Sequence, residues 1–409
     1  MKKALQITLG ILTAIGGFVD IGDLVANAET GARFQMALAW VVVVGVIGII
    51  VYAEMAGRVA AMSGRPVFEL VRERLGPGVG LVNLLASYFI NFLTLTAEIA
   101  GVAIAMSLVA SISYILLLPV AGFLVWLVVW RMPFEWMERL FGLLGLALLV
   151  FLVTVWKIGP DWNHLLSEAA HPGVPKEETP FTYAYFAIAL LGAAMTPYEV
   201  FFFSSGAVEE KWTASDLNVN RANVYIGFPL GGALSIAIMA GARLVFAPQH
   251  VSVDALAQVA LPTALVVGKI GLALLILGIF AATFGAALET ALSSGYTVAQ
   301  YLGWQWGKYV RPRQAARFHL LVLGSIALAT MFGLSGVDPV KVTEYSIVLA
   351  AAALPLTYFP ILVIANDPGY MRDKTNGPVI NVIATVYLVI LLVVAVATIP
   401  LMIITKAGA

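Results

Sequence analysis

Cysteine is absent from this chain of 409 residues, and charged residues are scarce. Without cysteine the protein has no disulfides, no thiolate metal ligands and no thiol redox chemistry. Charged residues make up 11% of the sequence and hydrophobic residues 61%, whereas a water-soluble domain carries about 25% charged residues. These shortages exclude a soluble globular protein and predict a polytopic membrane protein.

Long apolar runs dominate what is present. Windows of about 20 apolar residues predict about eleven transmembrane helices, which makes the expected fold class all-α. The predicted spans lie near residues 5–28, 34–57, 80–109, 112–130, 135–157, 181–208, 222–246, 263–300, 318–336, 342–366 and 378–404.

The distribution of positive charge predicts the orientation. With the N-terminus inside, sixteen of the 23 lysines and arginines fall on the cytoplasmic side of these spans, as the positive-inside rule requires. Lys2 and Lys3 then form a cytoplasmic flank rather than the start of a cleaved signal peptide. We therefore expect a multi-pass protein of the plasma (inner) membrane with a cytoplasmic N-terminus.

Two carboxylates, Asp20 and Asp23, interrupt the first apolar span. A charged aspartate at the centre of a spanning helix costs roughly 2.5–3.5 kcal/mol, so such residues usually face a cavity, a partner or a cation. Gly16, Gly17 and Gly22 weaken the helix around them, and broken helix is tolerated in a membrane where it lines a cavity. No lysine or arginine lies in the neighbouring apolar windows, so we favour a cation site over a buried ion pair.

The sixth span contains a second interruption, at Pro197. Proline within a helix removes one backbone hydrogen bond and clashes with the preceding turn. Glu199 follows it closely and has two interpretations. It either caps the positive end of a half-helix or is a third acidic group that faces the cavity.

Interruptions in the first and sixth spans predict an inverted repeat. Paired broken helices in two halves are typical of transporters with a site at the membrane midplane. We expect repeats over residues 1–157 and 181–366, an extracellular loop over residues 158–180, and an eleventh helix with the C-terminus over residues 367–409.

The ligands near the two breaks are hard oxygen donors: carboxylates, a threonine hydroxyl and freed backbone carbonyls. Such donors suit magnesium, calcium or manganese. The nearest thioether is that of Met195. Glu98 and Glu289 lie inside other spans, and either residue is a candidate for proton relay, for neutralising an arginine or for lining an aqueous path.

With both breaks placed, the chain resembles the Nramp family of divalent metal transporters. Residues 20–23 read Asp-Ile-Gly-Asp, where the family has Asp-Pro-Gly-Asn in its first helix. Residues 196–198 read Thr-Pro-Tyr, where the family has Met-Pro-His in its sixth helix. The resemblance covers nearly the whole chain and implies a LeuT-like 5+5 inverted repeat with helices 1 and 6 broken.

The resemblance also implies a ligand set. Asp20 and Asp23 would face the metal ion, Gly17 and Ala193 would offer backbone carbonyls, and Thr196 would offer its hydroxyl.

Departures from the family pattern at four positions bear on which metal is carried and on whether protons accompany it. Asp23 replaces the metal-binding asparagine and Thr196 replaces the methionine. Tyr198 replaces the histidine, and Leu95 replaces the first acid of the third-helix pair, which leaves Glu98. These losses resemble the divergent Nramp-related magnesium transporters, in which transport is thought to run without proton symport.

We therefore expect an importer of magnesium, with manganese as a second candidate ion, working by alternating access without proton coupling. It is not expected to be an enzyme or to need a cofactor, a nucleic acid or an obligate protein partner; its partners are the metal ion and the bilayer. The alternatives are an ordinary proton-coupled manganese or iron importer and a symporter for amino acids or other organic solutes. An intramembrane enzyme with paired aspartates is disfavoured, because Asp20 and Asp23 share one segment rather than meeting across helices.

Overall fold

A computed structural model describes residues 18–408, and within that range every regular element is helical. The helices of the first half are α1 Ile21–Phe34, α2 Ala39–Ser63, α3 Val67–Leu75, α4 Pro77–Ala110, α5 Tyr114–Arg131, α6 Phe134–Gly145, α7 Val150–Ile158 and α8 Trp162–Ala170. A short 3-10 turn, Leu146–Leu149, joins α6 to α7.

The second half continues the same pattern of long apolar helices. Its helices are α9 Pro180–Ala194, α10 Pro197–Glu209, α11 Leu217–Val245, α12 Leu261–Val267, α13 Lys269–Leu302, α14 Ala316–Leu334, α15 Pro339–Ala365, α16 Pro368–Met371 and α17 Pro378–Ile404. In the described range, ten helical stretches are long and apolar enough to cross a membrane. The first predicted span, near residues 5–28, accounts for the difference from eleven, because most of it lies outside the described residues.

Both predicted interruptions are present. The chain leaves helical geometry at Val19 and Asp20 before α1 begins, and at Met195 and Thr196 between α9 and α10. Pro197 is the first residue of α10, a position where its missing N–H has no helical partner to lose. Each break therefore places a helix start within the membrane-spanning region.

Two segments differ from the prediction. The span expected over residues 263–300 is divided at Gly268, whose φ of +80° is a conformation that residues with a Cβ rarely adopt. The segment 158–180, expected to be a loop throughout, contains α8, whose start is capped by the Asp161 carboxylate. Neither the division at Gly268 nor helix α8 produces a strong signal in hydropathy, because hydropathy reports burial rather than backbone direction.

The broken helices are largely buried by neighbouring helices. Helix α1 packs along α11, while α9 packs against α15 and α4 packs along α13. At Gly192 of α9, a Cβ would come within 2.1 Å of the carbonyl oxygen of Ile347, so only glycine allows α9 and α15 to approach this closely. The two breaks are thereby surrounded by α4, α11 and α15.

Candidate cation site

The first break is shaped by Asp20, which caps the start of α1. Its backbone is extended, and its Oδ1 accepts a hydrogen bond of 2.8 Å from the Asp23 amide. An aspartate that caps a helix satisfies a backbone N–H and sits at the positive end of the helix dipole. The fold thus compensates part of the buried charge of Asp20, whose exposed fraction is 2%.

Asp23, in the first turn of α1, is held by two side-chain donors. Asn27 donates from Nδ2 to Asp23 Oδ1 over 2.8 Å, and Ser235 of α11 donates from Oγ to Asp23 Oδ2 over 2.5 Å. Each carboxylate oxygen has two lone pairs, so one per oxygen stays free for a cation. Together the two bonds fix the carboxylate plane, and the Ser235 bond ties α1 to α11.

The second break frees backbone carbonyls. In an unbroken helix the carbonyl of Ala193 would accept from the residue four positions on, which is Pro197, and proline has no N–H. The carbonyl of Met195 is bonded by the Tyr358 hydroxyl over 3.0 Å. The Ala193 carbonyl therefore cannot form its usual bond within the helix and can accept from a partner elsewhere.

One cavity joins the two breaks. It is lined by Asp20 and Thr196, together with residues of α1, α4 and α15: Ile21, Gly22, Thr94, Ala97, Thr343, Ser346, Ile347 and Ala350. The polar side chains in this set are one carboxylate and four hydroxyls. The donors that the lining side chains offer are thus all oxygen.

The thioether of Met195 points elsewhere. Its sulfur packs against Gly48 of α2, close to the ring of Tyr387 of α17. Met195 is fully buried and does not line the cavity. The one soft donor near the second break is thus kept from Asp20 and Thr196 by helix packing.

Tyr198 joins the two breaks by a hydrogen bond. Its hydroxyl donates to Asp20 Oδ2 over 3.0 Å, and both residues are buried. The position that holds histidine in the resembling family is therefore occupied by a neutral donor to the first-break aspartate.

Three glutamates surround this region with different roles. Glu98 Oε1 accepts from the Ile21 amide over 3.1 Å, so Glu98 is a second acceptor at the start of α1. Glu199 is buried, its Oε1 has no hydrogen-bond partner in the described range, and its carboxylate interacts with Thr196. Glu289 of α13 is also buried, and it lies within electrostatic range of Asp20 and Glu199.

The acidic groups influence one another electrostatically, but they do not form one compact cluster. In residues 18–408, no three side chains of histidine, aspartate or glutamate are close enough to hold one metal ion together. An ion bound here would need carbonyls, hydroxyls or its own water molecules to complete its coordination. Gly17, the other carbonyl donor expected from the resemblance, lies outside the described residues.

Several polar residues at the site were not identified from the sequence. Asn27 follows Asp23 at the i, i+4 spacing of a helix face, so the sequence itself contains an indication of this contact. Ser235, Thr94 and Ser346 are far apart along the chain and unremarkable in hydropathy. Only the packing of α4, α11 and α15 brings them to the broken helix.

Comparison with known proteins identifies the fold. The family model described as natural resistance-associated macrophage protein-like, Nramp, matches residues 10–400. The divalent metal cation transporter MntH of Erwinia tasmaniensis is 26% identical over 379 residues, which cover 88% of this chain and 86% of that protein.

Solved structures agree with this match. The manganese transporter of Eremococcus coleocola, in complex with an aromatic bis-isothiourea compound, superposes with a TM-score of 0.70 at 17% identity, covering 96% of this chain and 85% of that one. A Na⁺-coupled sialic acid symporter superposes with a TM-score of 0.52 at 14% identity, covering 97% and 95%. The predicted LeuT-like fold is confirmed, and because the family model spans nearly the whole sequence, this chain belongs to the Nramp family.

Proposed function

We propose that this protein imports magnesium as a partly hydrated ion, accepts manganese as a second substrate, and works by alternating access. The observation that carries the proposal is the cavity between the breaks, where Asp20 and Thr196 meet and the side-chain donors are all oxygen. Asp20, Asp23, Thr196, Glu199 and the carbonyls of Gly17 and Ala193 form the proposed site. The repeats over residues 1–157 and 181–366 would move relative to each other around it.

The donor chemistry supports a hard ion. Carboxylate, carbonyl, hydroxyl and water ligands suit magnesium and manganese, whereas thioethers favour softer metals. Magnesium dehydrates reluctantly and usually keeps several waters while binding one or two carboxylates. A site with two aspartates and no close cluster of three acidic side chains in the described range matches that behaviour.

Uptake of a divalent cation needs no coupled ion under this proposal. An inside-negative potential supplies about 2.3 kcal/mol per charge per 100 mV, hence roughly twice that for a divalent ion. Tyr198 supports uncoupled transport, since its hydroxyl donates to Asp20 where an imidazole, the side chain that exchanges protons near neutral pH, would be expected for a proton-coupled carrier. Glu98 is already engaged with the Ile21 amide.

The competing function is proton-coupled manganese import. It is favoured by the names of the relatives, which are a divalent metal cation transporter and a manganese transporter. The buried carboxyl groups of Glu98 and Glu289 are the groups that such a mechanism would use. The two functions differ in whether protons accompany the metal and in whether magnesium is carried.

Reconstitution into proteoliposomes tests both points. Vesicles carry an internal magnesium dye in one preparation and an internal pH dye in another, with an inside-negative potential imposed. We expect magnesium entry that follows the potential and no acidification beyond that of empty vesicles. Acidification in step with metal entry would refute uncoupled transport, and manganese entry without magnesium entry would refute the proposed substrate.

A matched pair of aspartates tests the site itself. Asp20 caps α1 and Asp338 caps α15, and asparagine caps a helix as well as aspartate does. Asp20→Asn should keep the fold but abolish magnesium uptake, while Asp338→Asn should transport like the wild type. Normal uptake by Asp20→Asn would show that the site is assigned to the wrong residues.

A further inference from the structure

A pair of hydroxyls lines the cavity that also contains Asp20. Thr94 of α4 and Ser346 of α15 lie 2.6 Å apart, oxygen to oxygen, and both line the cavity with Asp20. Both are buried, with exposed fractions of 7% and 3%. Thr343, one turn before Ser346, lines the same space.

This pair bonds differently from most threonines and serines in the helices of this protein. A hydroxyl in a helix commonly bonds back to a carbonyl of its own helix, as Thr343 does with Pro339 over 2.8 Å and Thr290 does with Ala286 over 2.6 Å. Thr94 and Ser346 instead bond to each other across two helices. Their polar atoms therefore stay at the cavity wall.

Counting donors shows what the pair can still bind. Each hydroxyl has one hydrogen and two lone pairs, and the bond between the two uses one hydrogen and one lone pair. One O–H and three lone pairs remain for a group in the cavity. A water molecule, which both donates and accepts, matches that set better than a bare cation does.

The size of the cavity fits the same ligand. It offers about 10 Å³ for the centre of a water-sized molecule, and one buried water needs about 10–15 Å³ of such space and two to four polar partners. Asp20, Thr94, Ser346 and Thr343 supply those partners. The cavity thus accommodates about one water directly against the proposed metal-binding carboxylate.

We propose that the Thr94–Ser346 pair, assisted by Thr343, binds a water ligand of the transported cation and so favours an ion that keeps its hydration shell. This inference rests on the proposed magnesium transport and assigns part of its selectivity to α4 and α15. Because magnesium dehydrates reluctantly and keeps several waters, it gains more from a fixed acceptor for its water than manganese does. The pair is a positioning element, since it acts on the ion through water.

The test compares the Michaelis constants of magnesium and manganese in proteoliposomes. Thr94→Val removes one hydroxyl and should raise the constant for magnesium about fivefold, which corresponds to the loss of one hydrogen bond, with less than about a twofold rise for manganese and little change in maximal rate. Ser346→Ala should act in the same direction. Thr94→Ser keeps the hydroxyl and should restore the wild-type ratio of the two constants.

A matched control is available elsewhere in the chain. Thr154 of α7 and Thr263 of α12 form another buried pair across helices, with 2.9 Å between their oxygens. Thr154→Val should leave both constants unchanged, which separates the loss of an interhelical bond from the loss of a water site. An unchanged magnesium-to-manganese ratio in Thr94→Val, or the same shift in Thr154→Val, would overturn the inference.

The outcomes distinguish a failure of the proposed water site from a failure of the proposed magnesium transport. If wild type carries magnesium and Asp20→Asn does not, while Thr94→Val matches wild type, only the water site is refuted. If wild type carries no magnesium, both proposals fail. A lower melting temperature in Thr94→Val alone would not explain a shifted ratio, because both ions are measured on the same preparation.

Discussion

Tyr198 donates a hydrogen bond of 3.0 Å to Asp20 Oδ2 and thereby joins the half-helix that starts at the second break to the cap of the half-helix that starts at the first. The two residues are 178 positions apart in sequence and both are buried. A hydrogen bond to a buried carboxylate is among the stronger ones in proteins. It fixes the relative position of the two segments that carry the proposed ligands.

The first prediction concerns this bond. Without added metal, Tyr198→Phe should lower the free energy of unfolding by about 1.5–3 kcal/mol, the range for bonds to charged groups. Saturating magnesium should shrink the difference, because a bound cation compensates the Asp20 charge. Thermal unfolding in detergent, with and without magnesium, measures both values.

Tyr358→Phe is the control for that measurement. Its hydroxyl bonds the neutral Met195 carbonyl, so its loss should cost only about 0.5–1.5 kcal/mol and should not depend on magnesium. A Tyr198→Phe deficit that magnesium leaves unchanged would contradict a cation beside Asp20.

The second prediction concerns Asp23 and selectivity. Asp23→Asn introduces asparagine, the residue in the Nramp pattern at this position, and removes one negative charge. Asn27 and Ser235 still offer hydrogen-bond partners. We expect the Michaelis constant for magnesium to rise about tenfold, equivalent to about 1.4 kcal/mol, with a smaller rise for manganese. Uptake of the two ions by one preparation measures the change, and equal losses for both ions would argue against a role of Asp23 in selectivity.

The third prediction concerns the missing thioether. Thr196→Met places a soft donor at the cavity beside Asp20, so cadmium binding should appear in isothermal titration and magnesium uptake should weaken, because thioethers favour softer metals. Met195→Leu is the control, since the Met195 sulfur packs against Gly48 and away from the cavity. Strong cadmium binding by the wild type, lost in Met195→Leu, would show that this sulfur does reach the ion.

The fourth prediction concerns the pH dependence of stability. It involves a lysine on the side of the membrane that is cytoplasmic in the predicted topology. Lys308, between α13 and α14, has its pKa lowered to about 8 because burial outweighs the attraction of the nearby Glu209 carboxylate. The folded protein therefore loses this proton at lower pH than the unfolded chain, whose lysine pKa is near 10.5. At pH values between these two pKa values, the unfolded state binds more protons than the folded state does. The free energy of unfolding should therefore rise with pH.

Melting temperatures between about pH 7 and about pH 10 test that sign. Relative to wild type, Lys308→Met should be more stable near neutral pH, and its advantage should shrink as pH rises, because it has no buried ammonium to lose. Lys374→Met, at a lysine whose side chain is 46% exposed, should show no such trend. A constant difference between Lys308→Met and wild type would mean that the lysine keeps its charge throughout.

The sequence was sufficient for the architecture because hydropathy and helix-breaking residues act locally. Apolar runs of membrane length predicted the helices, and Asp20 and Pro197 marked the two breaks that the structure contains. The division at Gly268 and the helix α8 were missed. Those features depend on a single backbone angle and on a capping bond, which average hydropathy does not register.

What the sequence by itself determined is the chemistry available at the breaks: carboxylates at positions 20 and 23, a hydroxyl in place of a thioether at 196, and a proline that frees the Ala193 carbonyl. What only the tertiary structure decided is which distant groups meet them. Ser235 reaches Asp23, Tyr198 reaches Asp20, and the Thr94–Ser346 pair closes the cavity. The physical reason is that hydroxyls cost little in an apolar helix and leave no periodic signal, so their role arises only when helix packing points them at a shared space.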